Sequence, residues 1–287
     1  MKAVTLHDGT RVPALGQGTW RMGENPKAHA DEVAALRLGI DLGMTLIDTA
    51  EMYGEGGAEK VVADAIAGQR DRVFVVTKVY PHNASRIKMP KACERSLKHL
   101  RIDAIDIYLL HWRENNVPLS ETVEAFEKLR SAGKIRHWGV SNFDVDDMEK
   151  LFSIENGSAC AANQDLYNLE NREIEFDLLP FHQTSTIKPQ TSITVPIMAY
   201  SPVGHGRGLL NNATLKKIAK RHDATAAEVA LAWVLRQSRV IAIPKATDQT
   251  HVRENARSVE IRLTSQDFTE IDRAFPQPKS KKPLAML

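Results

Sequence analysis

Short apolar runs alternate along the chain with longer stretches in which apolar positions recur every three or four residues. The runs Ala14–Thr19, Leu46–Asp48, Val73–Val79, Ile105–Leu110, His137–Ser141, Ala161–Gln164, Val195–Tyr200 and Val240–Pro244 read as strands. Several, such as Val73-Phe74-Val75-Val76 and Ile107-Tyr108-Leu109-Leu110, are continuous rather than alternating. A parallel sheet covered on both faces demands such runs, whereas a half-exposed sheet gives alternation. Between them, Val33, Leu36 and Ile40 share one helical face, with Gly43 placed to end the helix. Val123, Phe126 and Leu129 repeat the pattern. Asp144 and Asp147 put carboxylates where a helix start leaves N–H groups without partners. Thr225-Ala226-Ala227-Glu228 has the spacing of a capping box ahead of Val229, Trp233 and Leu235. Before the first run, Val4-Thr5-Leu6 and Arg11-Val12 flank Asp8-Gly9, which predicts a hairpin.

Strands alternating with helices predict an α/β fold, a (β/α)8 TIM barrel with an N-terminal β-hairpin. A doubly wound sheet is the competing architecture, and it wants a G-x-G-x-x-G turn between its first strand and a helix. Gly16-Gln17-Gly18-Thr19-Trp20 lacks the third glycine and opens no helix. No Pro/Gly/Ser-rich linker divides the chain, so residues 1–287 are expected to form a single domain. The basic, Pro-rich stretch 276–287 reads as an extended C-terminal tail outside the core.

Composition narrows the function. The chain has 38 Lys+Arg against 36 Asp+Glu, a net charge of +2, which argues against a nucleic-acid partner. At 43% apolar and 26% charged it has the composition of an ordinary globular domain. No apolar run reaches the ~18 residues of a membrane span. The N-terminus, Met1-Lys2-Ala3-Val4-Thr5, lacks the apolar core of a secretory signal. Cys93 and Cys160 are far apart and in no metal-ligand spacing, so no metal site and no disulfide are expected, consistent with a cytoplasmic location.

In a barrel of this kind the chemistry lies where the strands end. The ends here carry Asp48 followed by Tyr53, Lys78, His111-Trp112, Ser141-Asn142, Gln164, Tyr200-Ser201-Pro202 and Lys245. A carboxylate, a phenol, an ammonium and an imidazole thus converge on one rim. Tyrosine, with an ordinary pKa of ~10, is a poor proton donor or acceptor at neutral pH. Lys78 beside it is expected to lower that value, Asp48 to hold Lys78 charged, and His111 to donate a hydrogen bond to a substrate oxygen. Together they form a proton donor aimed at a carbonyl that becomes negative in the transition state. Reduction also needs a hydride, which no side chain supplies, so a cofactor is required. Ser141, Asn142 and Gln164 offer partners for a carboxamide, and Tyr200 a flat face for a ring. Lys245, before a helix expected to begin near Thr247, offers a cation and free N–H groups to a phosphate.

Seven motifs carry a family resemblance. They are Gly16-Gln17-Gly18-Thr19-Trp20, Leu46-Ile47-Asp48-Thr49-Ala50 with Tyr53-Gly54, Thr77-Lys78-Val79, Leu110-His111-Trp112, Gly139-Val140-Ser141-Asn142-Phe143, Ala199-Tyr200-Ser201-Pro202, and Ile243-Pro244-Lys245-Ala246 with Glu254-Asn255. In this order, from residue 16 to residue 255, the chain resembles the aldo-keto reductase family. The wording Asp48-Thr49-Ala50-Glu51-Met52-Tyr53 resembles its bacterial branch that reduces small aldehydes such as methylglyoxal. The resemblance implies an NADPH-dependent reductase of aldehydes and ketones, with NADH left open as an alternative cofactor, working as a monomer on a small carbonyl substrate. It implies Tyr53 as general acid, Asp48 and Lys78 as its tuning pair and His111 as the residue orienting the carbonyl. The cofactor would contact Gly18, Thr19, Trp20, Ser141, Asn142, Gln164, Tyr200, Ser201, Pro202, Val203, Gly204, Lys245, Ala246, Thr247, His251, Glu254 and Asn255. Trp20, Tyr80 and Trp112 would line the substrate pocket.

Three departures stand out. His251 occupies the position where the family often has an arginine facing the 2′-phosphate. The connection from Phe181 to Pro196 is longer than expected, and its extra residues within 184–194 should lie on the barrel face away from the site, loosely packed. The loop Val203–Gly208 and the C-terminal segment are short, which suggests an open pocket. Two other activities compete: a cofactor-binding sensor or regulatory subunit on the same fold, and a barrel lyase forming a Schiff base through Lys78.

Overall fold

The computed structural model describes residues 2–114, 116–184, 186–188, 191–192, 195–205 and 208–287. β1 (Ala3–Thr5) and β2 (Arg11–Pro13) pair antiparallel around Gly9, whose φ of 90° suits a residue without a side chain. Val4, Leu6 and Val12 point into the core from this hairpin. Asp8 meets His137 at 2.8 Å, near the start of a barrel strand, so the hairpin covers the N-terminal end of the barrel.

Eight parallel strands form the centre: β3 (Gln17–Gly18), β4 (Leu46–Asp48), β5 (Phe74–Val79), β6 (Ile105–Leu110), β7 (Ile135–Ser141), β8 (Asn163–Leu166), β11 (Ile197–Tyr200) and β12 (Val240–Ala242). They run in chain order, and the first run returns to the last. Ala242 donates to the Ala14 carbonyl at 2.8 Å, and Gly16 donates to that of Ala242 at 2.8 Å, closing the ring. The chain is a TIM barrel, as the alternation predicts. Ten helices are assigned among the described residues: α1 (His29–Asp41), α2 (Gly57–Ile66), α3 (Lys88–Leu100), α4 (Leu119–Ser131), α5 (Val145–Ser153), α6 (Leu178–Thr184), α7 (Ala213–Arg221), α8 (Ala226–Val234), α9 (Gln249–Arg257) and α10 (Ser265–Ala274). Most bury an apolar face against the barrel. Asp144 caps α5 by accepting from the Asp147 N–H, and Thr225 and Glu228 complete the capping box of α8.

The sixth barrel strand starts and ends later than its apolar run suggests, because Asp165 and Leu166 pair in register with Ala199 and Tyr200. Within 184–194, residues 185, 189, 190, 193 and 194 lie outside the described residues. The described backbone there forms a short antiparallel pair, β9 (Thr186–Lys188) with β10 (Thr191–Ser192), before the start of β11.

The tail differs from the expectation of a segment outside the core. Residues 276–287 have no helix or strand, yet Leu284 packs against the core. Lys281 pairs with Asp177 at 3.4 Å and with Asp146 at 3.6 Å, which carries the chain across the C-terminal face of the barrel. An ordinary apolar pattern does not reveal this path, because one lysine and one leucine anchor it.

Gln17 ties the first helix to the barrel. Its buried Nε2 donates to the Leu36 carbonyl at 3.1 Å and to that of Met44 at 3.0 Å. Gly39 on α1 leaves the room this needs: a Cβ there would lie 2.0 Å from Gln17 Oε1. Gly39→Ala should therefore overpack the contact and break both bonds, destabilising the protein by roughly 2–4 kcal/mol. Urea unfolding checks this, and a loss below about 0.5 kcal/mol would show that Gln17 has another place to go.

Candidate active site

Asp48 and Lys78 sit at the C-terminal ends of adjacent parallel strands. Lys78 is fully buried, and its Nζ donates to Asp48 Oδ2 at 2.7 Å, to the Thr49 carbonyl at 2.8 Å and to the Tyr53 hydroxyl at 3.4 Å. All three ammonium protons therefore have acceptors. Gln164 reaches across the barrel from β8 and donates to the other oxygen, Asp48 Oδ1, at 2.8 Å. Thr19 donates to the Asp48 carbonyl at 2.9 Å, fixing the turn that leads to Tyr53.

Tyr53 lies in a short loop before α2, where Gly54 and Glu55 take positive φ and turn the chain back. Its ring meets that of His111 edge-on, with centroids 5.8 Å apart. Burial raises the Tyr53 pKa, and the Lys78 charge only partly opposes this. Lys78 acts in the expected direction, but burial outweighs it and the net shift is upward. The hydroxyl keeps its proton at physiological pH. Burial works against the ammonium of Lys78, but Asp48 outweighs it and keeps Lys78 charged. Burial pushes the Asp48 carboxyl up, opposed by Lys78 and Gln164. Burial and the Lys78 charge push the His111 imidazole down to about 2, so the ring is neutral. Its Nδ1 is buried with no hydrogen-bond partner among the described residues.

These residues open on a cavity of about 580 Å³. Asp48, Tyr53, His111, Trp112, Ser141, Asn142, Gln164 and the Tyr200–Gly204 turn line it, with Gly18, Thr19 and Trp20 on the opposite lip. Tyr200 donates to Asn142 Oδ1 at 3.0 Å, and Asn142 Nδ2 donates to Ser141 Oγ at 3.1 Å. Asn142 and Ser201 hold positive φ, and Asn168 donates to the Ser201 carbonyl at 3.0 Å, so the two loops have fixed shapes. A second cavity of about 590 Å³ adjoins the first and shares Val203 and Lys245 with it. Ala246, His251, Glu254 and Asn255 line this second part, facing α7 and the start of α8. The combined cleft is elongated, with amide partners at one end and basic groups at the other.

Three placements differ from expectation. Tyr80 does not line the cavity. It stands behind Trp112, edge-on with centroids 5.8 Å apart, and its N–H donates to Glu51 Oε1 at 2.7 Å. The helix after Lys245 starts at Gln249, not near Thr247, because Asp248 caps it by accepting from the Thr250 N–H at 2.7 Å. Thr247 lines neither cavity. Nor is the pocket as open as short loops suggest. His205 packs on Trp20 with centroids 5.1 Å apart, and Met286 and Leu287 of the tail line the cavity. Gly206 and Arg207 of the short loop lie outside the described residues. Sequence reasoning also missed Arg21 and Met52 at the first cavity and Lys216 and Lys220 at the second. The two lysines carried a signal, since they are four residues apart on one helix.

Comparison with known proteins identifies the family. The family model described as the aldo/keto reductase family matches residues 14–275. The chain belongs to that family. It is 49% identical to the methylglyoxal reductase YeaE of Escherichia coli K12, over 100% of this chain and 99% of the relative. It is 32% identical to a glyoxal reductase of Bacillus subtilis, over 94% and 91%. Among solved structures, an aldo-keto reductase from Klebsiella pneumoniae in complex with NADPH superposes with a TM-score of 0.94 at 47% identity, over 100% and 99% of the two chains. No helix among the described residues is long and apolar enough to cross a membrane.

The neutral His111 has a measurable consequence. Its native pKa lies far below the unfolded value of 6.5. Below pH 6.5 the unfolded chain takes up a proton that the native state refuses, so stability falls as pH falls toward the native pKa. Between pH 6.5 and 4.5 this one group should remove about 2 kcal/mol. His111→Gln should lessen the loss by that amount. An unchanged acid slope in urea titrations would show that the imidazole is protonated in the native protein.

Proposed function

We propose that this protein reduces small aldehydes and dicarbonyls, methylglyoxal among them, to alcohols with NADPH, and that Tyr53 delivers the proton. The observation that carries the reading is a protonated Tyr53 hydroxyl on the cavity wall, beside a fully buried Lys78 ammonium and a neutral imidazole. A nicotinamide cofactor held in the cleft would supply the hydride that the carbonyl carbon needs. Asn142, Ser141 and Gln164 suit its carboxamide, and the Tyr200 ring suits its face.

The chain's own residues handle the oxygen. As the carbonyl carbon gains the hydride, negative charge grows on oxygen, and Tyr53 passes its proton there. The phenolate left behind is stabilised by Lys78, which Asp48 keeps charged and in place. Because His111 is neutral, it can donate a hydrogen bond to the oxygen without competing as the acid. Trp20, Trp112 and Met52 supply an apolar wall for a short carbon chain. All these groups come from one chain, so we read the working unit as a monomer. NADH is the weaker alternative cofactor.

A Schiff base at Lys78 fits poorly. An amine nucleophile must lose a proton and reach the substrate, yet Lys78 has three acceptors and is covered completely. A sensor without chemistry would have no use for the tuned proton donor.

Tyr53→Phe removes the proton and little else. Turnover of methylglyoxal and other short aldehydes should fall about 10²–10⁴-fold, while NADPH still quenches tryptophan fluorescence. A variant that kept half of the wild-type kcat would overturn the assignment of Tyr53. A wild-type protein that oxidised no NADPH against aldehydes, dicarbonyls and ketones would overturn the activity itself.

A further inference from the structure

The second half of the cleft holds more positive charge than the family resemblance assigns to it. α7 carries four basic residues in its last two turns, and they divide by face. Lys217 pairs with Glu270 at 3.2 Å, and Arg221 pairs with Glu270 at 2.8 Å and also with Asp267. These two lean on α10 and are neutralised there. Lys216 and Lys220, four residues apart and so on one helical face, line the cavity instead. Lys216 is held by Asn211 at 2.9 Å. Lys220 has no hydrogen bond or ion pair with any described residue, and neither has Lys245, which lines the same cavity.

We propose that Lys220 is the second cation, alongside Lys245, for the phosphomonoester on the adenosine ribose of the cofactor, and that it sets the preference for NADPH over NADH. This rests on the NADPH reading above and names the residue that enforces it. A phosphomonoester with a second pKa of ~6 carries nearly two charges at neutral pH. One lysine leaves it half neutralised. His251 stands where an arginine would have brought a planar fork of donors, and an imidazole ring offers no such bidentate grip. The other charges nearby do not fill the gap. Glu254 also lines the cavity and is of the wrong sign, and Asp248 is committed to the Thr250 N–H at the start of α9. Lys216 lines the same cavity, but its ammonium is turned to Asn211, so Lys220 is the cation beside Lys245 that is left without a partner among the described residues.

The test is binding of NADPH, NADH and 2′,5′-ADP to the full-length wild type, Lys220→Gln and Lys217→Gln, followed by fluorescence and calorimetry. Lys220→Gln should weaken NADPH and 2′,5′-ADP about tenfold and leave NADH unchanged, as expected when one charge-assisted contact is lost. Its NADPH affinity should also depend less steeply on salt. Lys217→Gln, whose lysine is neutralised by Glu270, should behave as wild type. If Lys220→Gln bound NADPH as tightly as the wild type, or lost NADPH and NADH in equal measure, Lys220 would not read the phosphate. A wild type that bound NADH as well as NADPH and ignored 2′,5′-ADP would instead overturn the NADPH reading on which the proposal stands.

Discussion

An ammonium with no exposure to water must be neutralised where it stands, and the site depends on how Lys78 meets that demand. Removing one partner from a buried pair costs ~3–5 kcal/mol, because the other charge is left alone. The pair with Asp48 is therefore a constraint on four strands, since Gln164 on β8 and Thr19 after β3 both hold the Asp48 residue. A parallel barrel can meet this constraint because all its strands point the same way. Their ends bring residues far apart in sequence to one rim, with Asp48 and Gln164 separated by 116 positions. Tyr53 then sits above a fixed positive charge rather than beside a mobile one.

That charge has two effects of opposite sense. It disfavours a proton on His111, which burial has already made unwelcome, and it favours loss of a proton from Tyr53, which burial resists. Two groups with ordinary values of ~6.5 and ~10 are thus pushed further apart. The imidazole stays neutral and the phenol stays protonated across the working range, so a single proton donor faces the cavity. Lowering of the phenol's pKa is not needed in the resting protein. On the proposed reading it matters once charge develops on a substrate oxygen, and the ammonium already lies 3.4 Å from the Tyr53 hydroxyl.

The barrel and its rim were legible in the sequence for related reasons. Strands buried on both faces read as unbroken apolar runs, and a polar residue closing such a run is conspicuous. Asp48, Lys78, His111 and Gln164 stand out in this way. The signal fails where a polar residue lies inside a buried strand, as Asp165 does, so the end of β8 was read two residues early. It fails again where position depends on another residue's path. Tyr80 follows its strand as expected, but Glu51 draws its backbone behind Trp112. The tail has almost no periodicity to read, and Lys281 meeting two carboxylates from separate helical regions decides its route.

The basic half of the cleft shows a different kind of limit. Helix α7 reads as an ordinary solvated helix, with lysines on several faces. What separates Lys220 from Lys217 is not the residue type but what lies opposite. Glu270 and Asp267 on α10 cancel one face, while the other looks onto a cavity that already contains Lys245. A sequence motif records the positions that a family holds in common, and here the position that usually carries arginine carries His251. A further cation, Lys220, lines the cavity from a neighbouring helix, where only the folded arrangement reveals it. The Tyr53 end of the cleft is therefore built largely from residues visible at strand ends. The basic end takes part of its charge from the face a surface helix presents, and the two can vary independently.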